Sequence, residues 1–182
     1  IHYRGRNSQP TIQQMEPVRN NSNAMNEIVG NLGLKPAFAH NLHAMYSKFE
    51  QDKFWSLMTG LHLTITQDAL VNNCIYDQTG KLYQQTVNAD GTPWNLWGDL
   101  MFNTPFANKL FQFNTRTSIG YNEQLMYITR EASTADIEEA ISHNRFMIGD
   151  ESKTGRLNIR ENVSLRITHD VVDLGVVGSV SY

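Results

Sequence analysis

The side chains most able to do chemistry in this chain form no catalytic or metal-binding pattern. His40 and His43 are an odd number of positions apart in an alternating segment, so a strand places them on opposite faces. The acidic residues between Asp136 and Glu139 would meet His143 only on a helix, and a run of like charge usually marks a solvated surface. The sequence has no serine-hydrolase, zinc-protease or phosphate-loop motif. We therefore expect no enzymatic activity and no cofactor.

The composition limits the class of protein. The chain has 182 residues, which suits one domain, and only 18% of them are charged, whereas about 25% is usual in soluble domains. The net charge of −3 gives none of the basic excess that nucleic-acid binding needs, so we expect no nucleic-acid partner. Cys74 is the single cysteine, which excludes an internal disulfide and a cysteine-rich zinc site and predicts a lone, half-buried thiol.

The elements that must position the polar residues are alternating strands, and the clearest is 110–122. One face of this segment has aromatic residues at both ends, Phe111 and Phe113 at one and Tyr121 at the other. The opposite face is polar throughout and includes Arg116. A period of two predicts a β-strand. A strand of this kind suits the wall of a membrane β-barrel or the edge of a soluble sandwich.

Similar alternation predicts about six or seven strands. It is cleanest after Trp55 and recurs after Trp94, with weaker examples over 38–49, 157–167 and 172–182. Glu161 interrupts the apolar face of its strand. A charge that faces lipid at mid-depth costs on the order of 2 kcal/mol, so we expect Glu161 near an interface, in a bulge or under a loop.

The lengths of the connections alternate, which favours a barrel over a Greek-key sandwich. Long connections are predicted at 6–36, 70–92 and 131–151, and short turns at 50–53, 104–108 and 168–170. The segment 134–143 predicts either a short helix or a polar loop with one helical turn. The predicted fold is therefore all-β, an antiparallel up-and-down meander that forms part of a larger transmembrane β-barrel and spans residues 1–182.

This arrangement assigns candidate site residues to the two faces. The polar side chains predicted to face the barrel lumen are His62, Asp99, Arg116, Arg160 and Arg166. The aromatic side chains predicted to form the membrane girdle are Trp55, Trp94, Phe111, Phe113 and Tyr121. The first set would tune permeation and plug contact, or merely hydrate the interior. The second set has an alternative role in the core of a sandwich.

Several short motifs carry a family resemblance. They are Tyr3-Arg4-Gly5-Arg6-Asn7-Ser8-Gln9-Pro10-Thr11-Ile12, Met15-Glu16-Pro17, Asn21-Ser22-Asn23, Gly30-Asn31-Leu32-Gly33-Leu34-Lys35-Pro36 and Asn103-Thr104-Pro105-Phe106. In this order they resemble the barrel region of TonB-dependent-receptor-like outer-membrane proteins of Bacteroidota-type bacteria. Leu32 stands where that family usually has proline.

The resemblance implies localisation in the bacterial outer membrane and energised uptake of a bulky nutrient. The implied partners are the lipid bilayer, the remainder of the barrel and its plug domain, and the TonB system through regions outside this chain. The chain is then a slice of a barrel. Tyr182 would be either a terminal aromatic residue or a point inside a strand. A slice with two open edges is expected to aggregate on its own.

Two other hypotheses stay open. A soluble, secreted β-sandwich that binds glycans would bury Trp55 against Phe111 in a dry core. An outer-membrane hydrolase would need a nucleophile and a base at a strand end, and no such pair is evident in the sequence.

Overall fold

The structure is a computed structural model and describes residues 1–16, 18–107, 110–143, 146–169 and 172–181. Its eleven strands form one sheet, accompanied by two helices. In chain order the elements are β1 His2–Ser8, α1 Ile12–Met15, β2 Asn20–Asn23, β3 Asn26–Val29, β4 Ala37–Glu50, β5 Trp55–Gln67, β6 Leu70–Asp77, β7 Leu82–Asn88, β8 Trp94–Phe106, β9 Phe111–Ala132, α2 Thr134–Ser142, β10 Asp150–His169 and β11 Val172–Ser181.

Seven of the strands make an antiparallel meander that we call the wall. Their order is β1-β4-β5-β8-β9-β10-β11, and each pairs antiparallel with its neighbour. The predicted all-β meander is therefore confirmed. β1 and β11 are its two edges, and each pairs with one neighbour among the described residues.

The other four strands build a second region, which we call the cap. It comprises α1, β2, β3, β6, β7, α2 and the outer part of β9, residues 123–132. The strand order from β9 is β6-β7-β3-β2, and the β6–β9 and β3–β7 pairs are parallel. The connections predicted at 6–36, 70–92 and 131–151 are therefore not plain loops, because they supply the strands and helices of the cap.

The short turns lie slightly later than predicted. The turn expected at 50–53 occupies 51–54, because β4 continues until Glu50 pairs with Trp55 and Phe54 adopts a φ of 56°. The turn expected at 104–108 begins only after Phe106, and the one expected at 168–170 begins after His169. Tyr182 lies outside the described residues.

The segment after Ser133 forms a helix of nine residues rather than a polar loop. The Ser133 side chain makes no capping hydrogen bond, so the weak capping signal is not the cause. The helix is held by its apolar side, because Ile137 is only 1% exposed and packs with Ile75 and Tyr83. Neither helix in the described residues is long or apolar enough to cross a membrane.

The dry core lies entirely in the cap and at its junction with the wall. One cluster contains Ala69, Val87, Ala89, Leu125 and Tyr127, and a second joins α2 to β6 and β7. By contrast, no described residue in 38–67, 91–124 or 146–167 is buried. The sandwich hypothesis fails on this point, because Leu61 and Val176 stay 47% and 74% exposed.

Candidate functional site

The strand register places the five predicted lumen residues on one face of the wall, which we call the polar face. His62 pairs with Trp97, Asp99 with Ser118, and Ser118 with Arg160. Arg116 pairs with Met101, and Arg166 pairs with Gln112. Directly paired residues point the same way. The structure therefore assigns these side chains to a common surface, and whether that surface lines a lumen remains a prediction.

Within this face the five residues do not form one compact site. Asp99 and Arg160 occupy the same cross-strand row, on either side of Ser118. The Asp99 carboxylate lies over Gly60, where an added Cβ would come within 2.7 Å of Oδ1. His62 lies one row closer to the cap than Asp99. Arg166 lies near the opposite end of the wall, close to the short turns.

A basic cluster on the polar face was not predicted. His2, His43 and His62 follow one another in a single row across β1, β4 and β5. The His43 and His62 ring centroids are 5.8 Å apart. Arg4 and Arg6 extend the cluster outward along β1. Together these side chains line a depression of about 730 Å³. The pairing of β4 with β5 was the signal that could have revealed it.

A second, more neutral depression of about 450 Å³ lies nearer the short turns. Asn103 donates a hydrogen bond to Asn114, whose Nδ2 donates to Ser164 Oγ at 3.3 Å. Arg116 lies beside this amide row. The row links β8, β9 and β10 on the polar face. Its side-chain hydrogen bonds satisfy amide groups that water would otherwise solvate, and they hold the three strands together.

The five predicted girdle residues lie on the opposite face, which we call the apolar face. Trp94 and Tyr121 ring centroids are 4.7 Å apart at the outer end. At the other end Trp55 is 6.2 Å from Phe102, and Phe106 stacks on Phe111 at 5.0 Å. Phe113 pairs with Thr104 in the adjacent row.

The spacing of these aromatic rows can be compared with a membrane. Phe111 and Tyr121 are ten positions apart on β9, and so are Trp55 and Ile65, the residue paired with Trp94. Ten residues extend about 33 Å along a strand. At the tilt of about 40° usual in membrane barrels this corresponds to a height of about 25 Å, which matches the apolar band of such proteins.

Glu161 lies on the apolar face between the aromatic rows. It pairs in regular register with Thr117 and Val180, so the expected bulge is absent, and its row lies about midway between the aromatic rows. Its carboxylate accepts hydrogen bonds from the Thr115 and Thr117 hydroxyls. Two donors from the neighbouring strand therefore take the place of water.

Charged groups also hold the cap together. The Glu27 side chain is 5% exposed and pairs with Lys81 at 2.7 Å and with Arg19 at 3.3 Å. Arg19 also pairs with Glu138 on α2 at 2.8 Å, so one network connects β3, the turn that precedes β7, and α2. The Glu27 carboxylate raises the pKa of Lys81.

Asp77 closes the turn between β6 and β7. Its Oδ1 accepts hydrogen bonds from the Thr79 hydroxyl at 2.7 Å and from the Thr79 and Lys81 backbone N–H groups. These donors lower the pKa of Asp77, the Thr79 hydroxyl most strongly. Nearby, Cys74 is half-buried as predicted, and burial raises the pKa of its thiol.

The family-like segment from Gly30 to Pro36 folds back onto β7. Gln85 Nε2 donates to the Gly30 carbonyl at 3.0 Å, and Asn88 Oδ1 accepts from the Lys35 N–H at 2.8 Å. Gly30 approaches the backbone so closely that an added Cβ would lie 1.8 Å from the Glu16 carbonyl oxygen. This motif therefore attaches the start of β4 to the cap.

Metal chemistry has no evident centre in the part of the chain that the structure describes. No group of three or more His, Cys, Asp and Glu side chains there is placed to hold a metal ion. His40 and His43 lie on opposite faces, as predicted, because His40 pairs with Gly5 and Ile65 whereas His43 pairs with His2 and His62. His40 instead meets the Tyr3 hydroxyl at 2.8 Å.

Comparison with known proteins agrees with the geometry of the wall. Residues 1–171 match the model of a family described as an outer membrane protein beta-barrel family. A search of curated proteins found no match, and neither did a search of solved structures. The match covers nearly the whole chain, including every wall strand up to the start of β11. The chain therefore belongs to the outer membrane protein beta-barrel family, and its place is the bacterial outer membrane.

Proposed function

We propose that this chain forms part of the barrel of an outer-membrane receptor that imports a bulky nutrient, energised by TonB from the periplasmic side. The observation that carries the proposal is the division of the wall into two faces. Across the wall the register keeps the arginines and nearly all asparagines on one face and the aromatic rows on the other; Asn7, Phe49 and Trp97 are the exceptions. Such a division suits a wall between lipid and a water-filled interior.

The cap supports the assignment of a receptor rather than a simple pore. It is a folded body at one end of the wall, with its own core and ion-pair network. Ligand-binding segments that sit on a rigid scaffold are common in proteins. In this proposal the cap meets the nutrient first, and the polar face receives it when the plug domain moves.

We further propose that the chain contributes no catalysis. The polar face offers arginines, histidines and amides, and these bind and orient ligands. A hydrolysis assay with generic ester, peptide and glycoside substrates should show no turnover above the level without protein. Turnover that depends on a polar-face side chain would contradict this part of the proposal.

The uptake test uses living cells. Labelled oligosaccharides, peptides and iron chelates are offered to the wild-type strain, to a strain lacking this protein and to a strain lacking TonB. We expect uptake of the same class of solute to fall in both deletion strains. Uptake that is unaffected in the first strain, or that falls there without depending on TonB, would overturn the proposal.

The orientation of the wall is tested separately by cysteine labelling. Cys74→Ser provides a background, since Cys74 is the single cysteine. His62→Cys and Leu61→Cys are adjacent positions on opposite faces. A membrane-impermeant thiol reagent should label His62→Cys, and a lipid-borne quencher should reach only a fluorophore on Leu61→Cys. The reverse pattern would contradict the assignment of the two faces.

A further inference from the structure

Arginine dominates the charge of the polar face although the whole chain is slightly acidic. By register this face carries Arg4, Arg6, Arg116, Arg156, Arg160 and Arg166. Asp99 lies among them near the middle of the wall, and by register Asp173 on β11 pairs with Thr168 in a polar-face row far from β1. The net charge of the chain is nevertheless −3. Positive charge is therefore concentrated on the surface that we assign to the lumen.

The depression beside β1 is where this charge is most available. Arg4 and Arg6 are exposed, and neither makes a side-chain hydrogen bond or ion pair with the residues that the structure describes. Their strand neighbours on this face are Asn41 and Ala39, which bring no negative charge. His2, His43 and His62 complete the rim. No carboxylate lines the depression.

The position of the depression fits capture at the entrance to the lumen. Arg4 belongs to the row of Thr64, Asn95 and Asn122, one residue beyond the level of Tyr121 in the outer aromatic row. By register Asp99 is the nearest carboxylate on the same face, and it is directed over Gly60 two rows further inward, beyond the row of His62.

We propose that this depression binds an oxyanion group, a phosphate or a carboxylate, of the imported solute. The inference rests on the proposed function, because it needs the polar face to line the lumen. Arginine presents a planar fork of N–H donors that matches two oxygens of such a group. The histidines add donors around it. The nutrient is then anionic rather than a neutral sugar.

The test measures binding directly, with the full-length protein in neutral detergent without added lipid, so that lipid phosphate cannot be the source. The probes are inorganic pyrophosphate and citrate, with maltotriose as the neutral comparison, and the readout is calorimetry at low and moderate salt. We expect one or both anions to bind, more weakly as salt rises, and maltotriose not to bind. The tighter anion identifies the preferred group.

Variants locate the binding. Arg4→Gln with Arg6→Gln should raise the Kd at least tenfold, and Arg116→Gln with Arg160→Gln, which removes the same two charges elsewhere on the face, should change it less than twofold. Arg4→Lys with Arg6→Lys should fall between, because the charge stays and the fork is lost. His43→Gln with His62→Gln gives a second, independent test and should also weaken binding.

Three results would overturn the proposal: no anion binding by the wild-type protein, an unchanged Kd in the Arg4 and Arg6 variants, or equal weakening by the Arg116→Gln and Arg160→Gln double variant. These outcomes are distinct from failure of the proposed function. Loss of TonB dependence in the uptake assay would leave the binding constants unaffected. Conversely, an unchanged Kd would leave the uptake result standing.

Discussion

The wall and the cap are stabilised by different means, although they share one sheet. In the cap Ile75, Tyr83 and Ile137 are each about 1% exposed, so this region has the dry interior of a soluble protein. In the wall Leu61, Leu100 and Ile119 are between 41% and 47% exposed on the apolar face. The hydrophobic effect acts within the cap itself, whereas the wall gains the same stabilisation only when lipid covers it.

The largest expected effect tests whether the cap has its own core. Ile75→Ala should lower the free energy of local opening in the cap by about 2–5 kcal/mol, because the lost side chain leaves a cavity. The measurement is amide hydrogen exchange of β6 and β7 in detergent micelles. Leu100→Ala in the wall is the matched control and should leave these amides unchanged. Equal losses would show that the two regions open as one unit.

The next test asks what covers the apolar face of the wall. Leu61→Arg should reduce stability in lipid vesicles by about 2–4 kcal/mol, since Leu61 lies on the apolar face between the aromatic rows. Met45→Arg, in the adjacent row but on the polar face, should be close to neutral because Met45 is 62% exposed there and Asp99 is near. Urea titration of the vesicle-inserted protein measures both. A neutral Leu61→Arg would mean that water, not lipid, reaches that face.

A smaller effect concerns the one carboxylate on the apolar face. Replacing Thr115 and Thr117 by valine removes both donors to Glu161 and should cost about 1–3 kcal/mol in the same vesicle assay. Adding Glu161→Gln should restore most of the loss, because a neutral amide needs less solvation. If the double valine variant is as stable as the wild type, the threonines do not hold the carboxylate and the wall tolerates the charge by another route.

The smallest expected effect is a pH dependence confined to the cap. Because the folded-state pKa of Asp77 is lower than its ordinary value of 3.8, its contribution is present above that pH and is lost as the pH falls through the folded value. Amide exchange in β6 and β7, corrected for intrinsic rates, should therefore accelerate in acid. Asp77→Asn should remove this acceleration, and Asp90→Asn should retain it. Acceleration that persists in Asp77→Asn would assign it to another group.

The strands of the wall were predictable because the alternation of polar and apolar residues that specifies them lies within single segments of the sequence. Alternation in single segments such as 55–65 and 110–122 gives the strand, its two faces and its aromatic ends without reference to any partner. The register could not be predicted as well. A turn at 50–53 would pair His43 with Gly60, whereas the observed turn, extended to Phe54 by its positive φ, pairs His43 with His62. This shift of two residues concealed the histidine row.

The cap was not predictable because its pairs are distant in sequence and partly parallel. Asn26 pairs with Leu82, and Asn73 pairs with Tyr127, and no local pattern specifies either. Glu27 looks like a solvated acid in the sequence, yet it is buried because Arg19 and Lys81 arrive from other segments. The polar residues in 6–36 suggest a loop in the sequence, but in the structure part of this segment forms β3, which pairs with β7.

β9 has a mechanical consequence for how the cap can move relative to the wall. Its 22 residues pass without interruption from the wall into the cap, where β6 replaces β8 as its neighbour beyond Asn122. A rigid swing of the cap would have to break the hydrogen bonds of a continuous strand rather than bend a linker. The cap is therefore a rigid extension of the wall, and any movement between the two must bend β9 where its neighbour changes from β8 to β6.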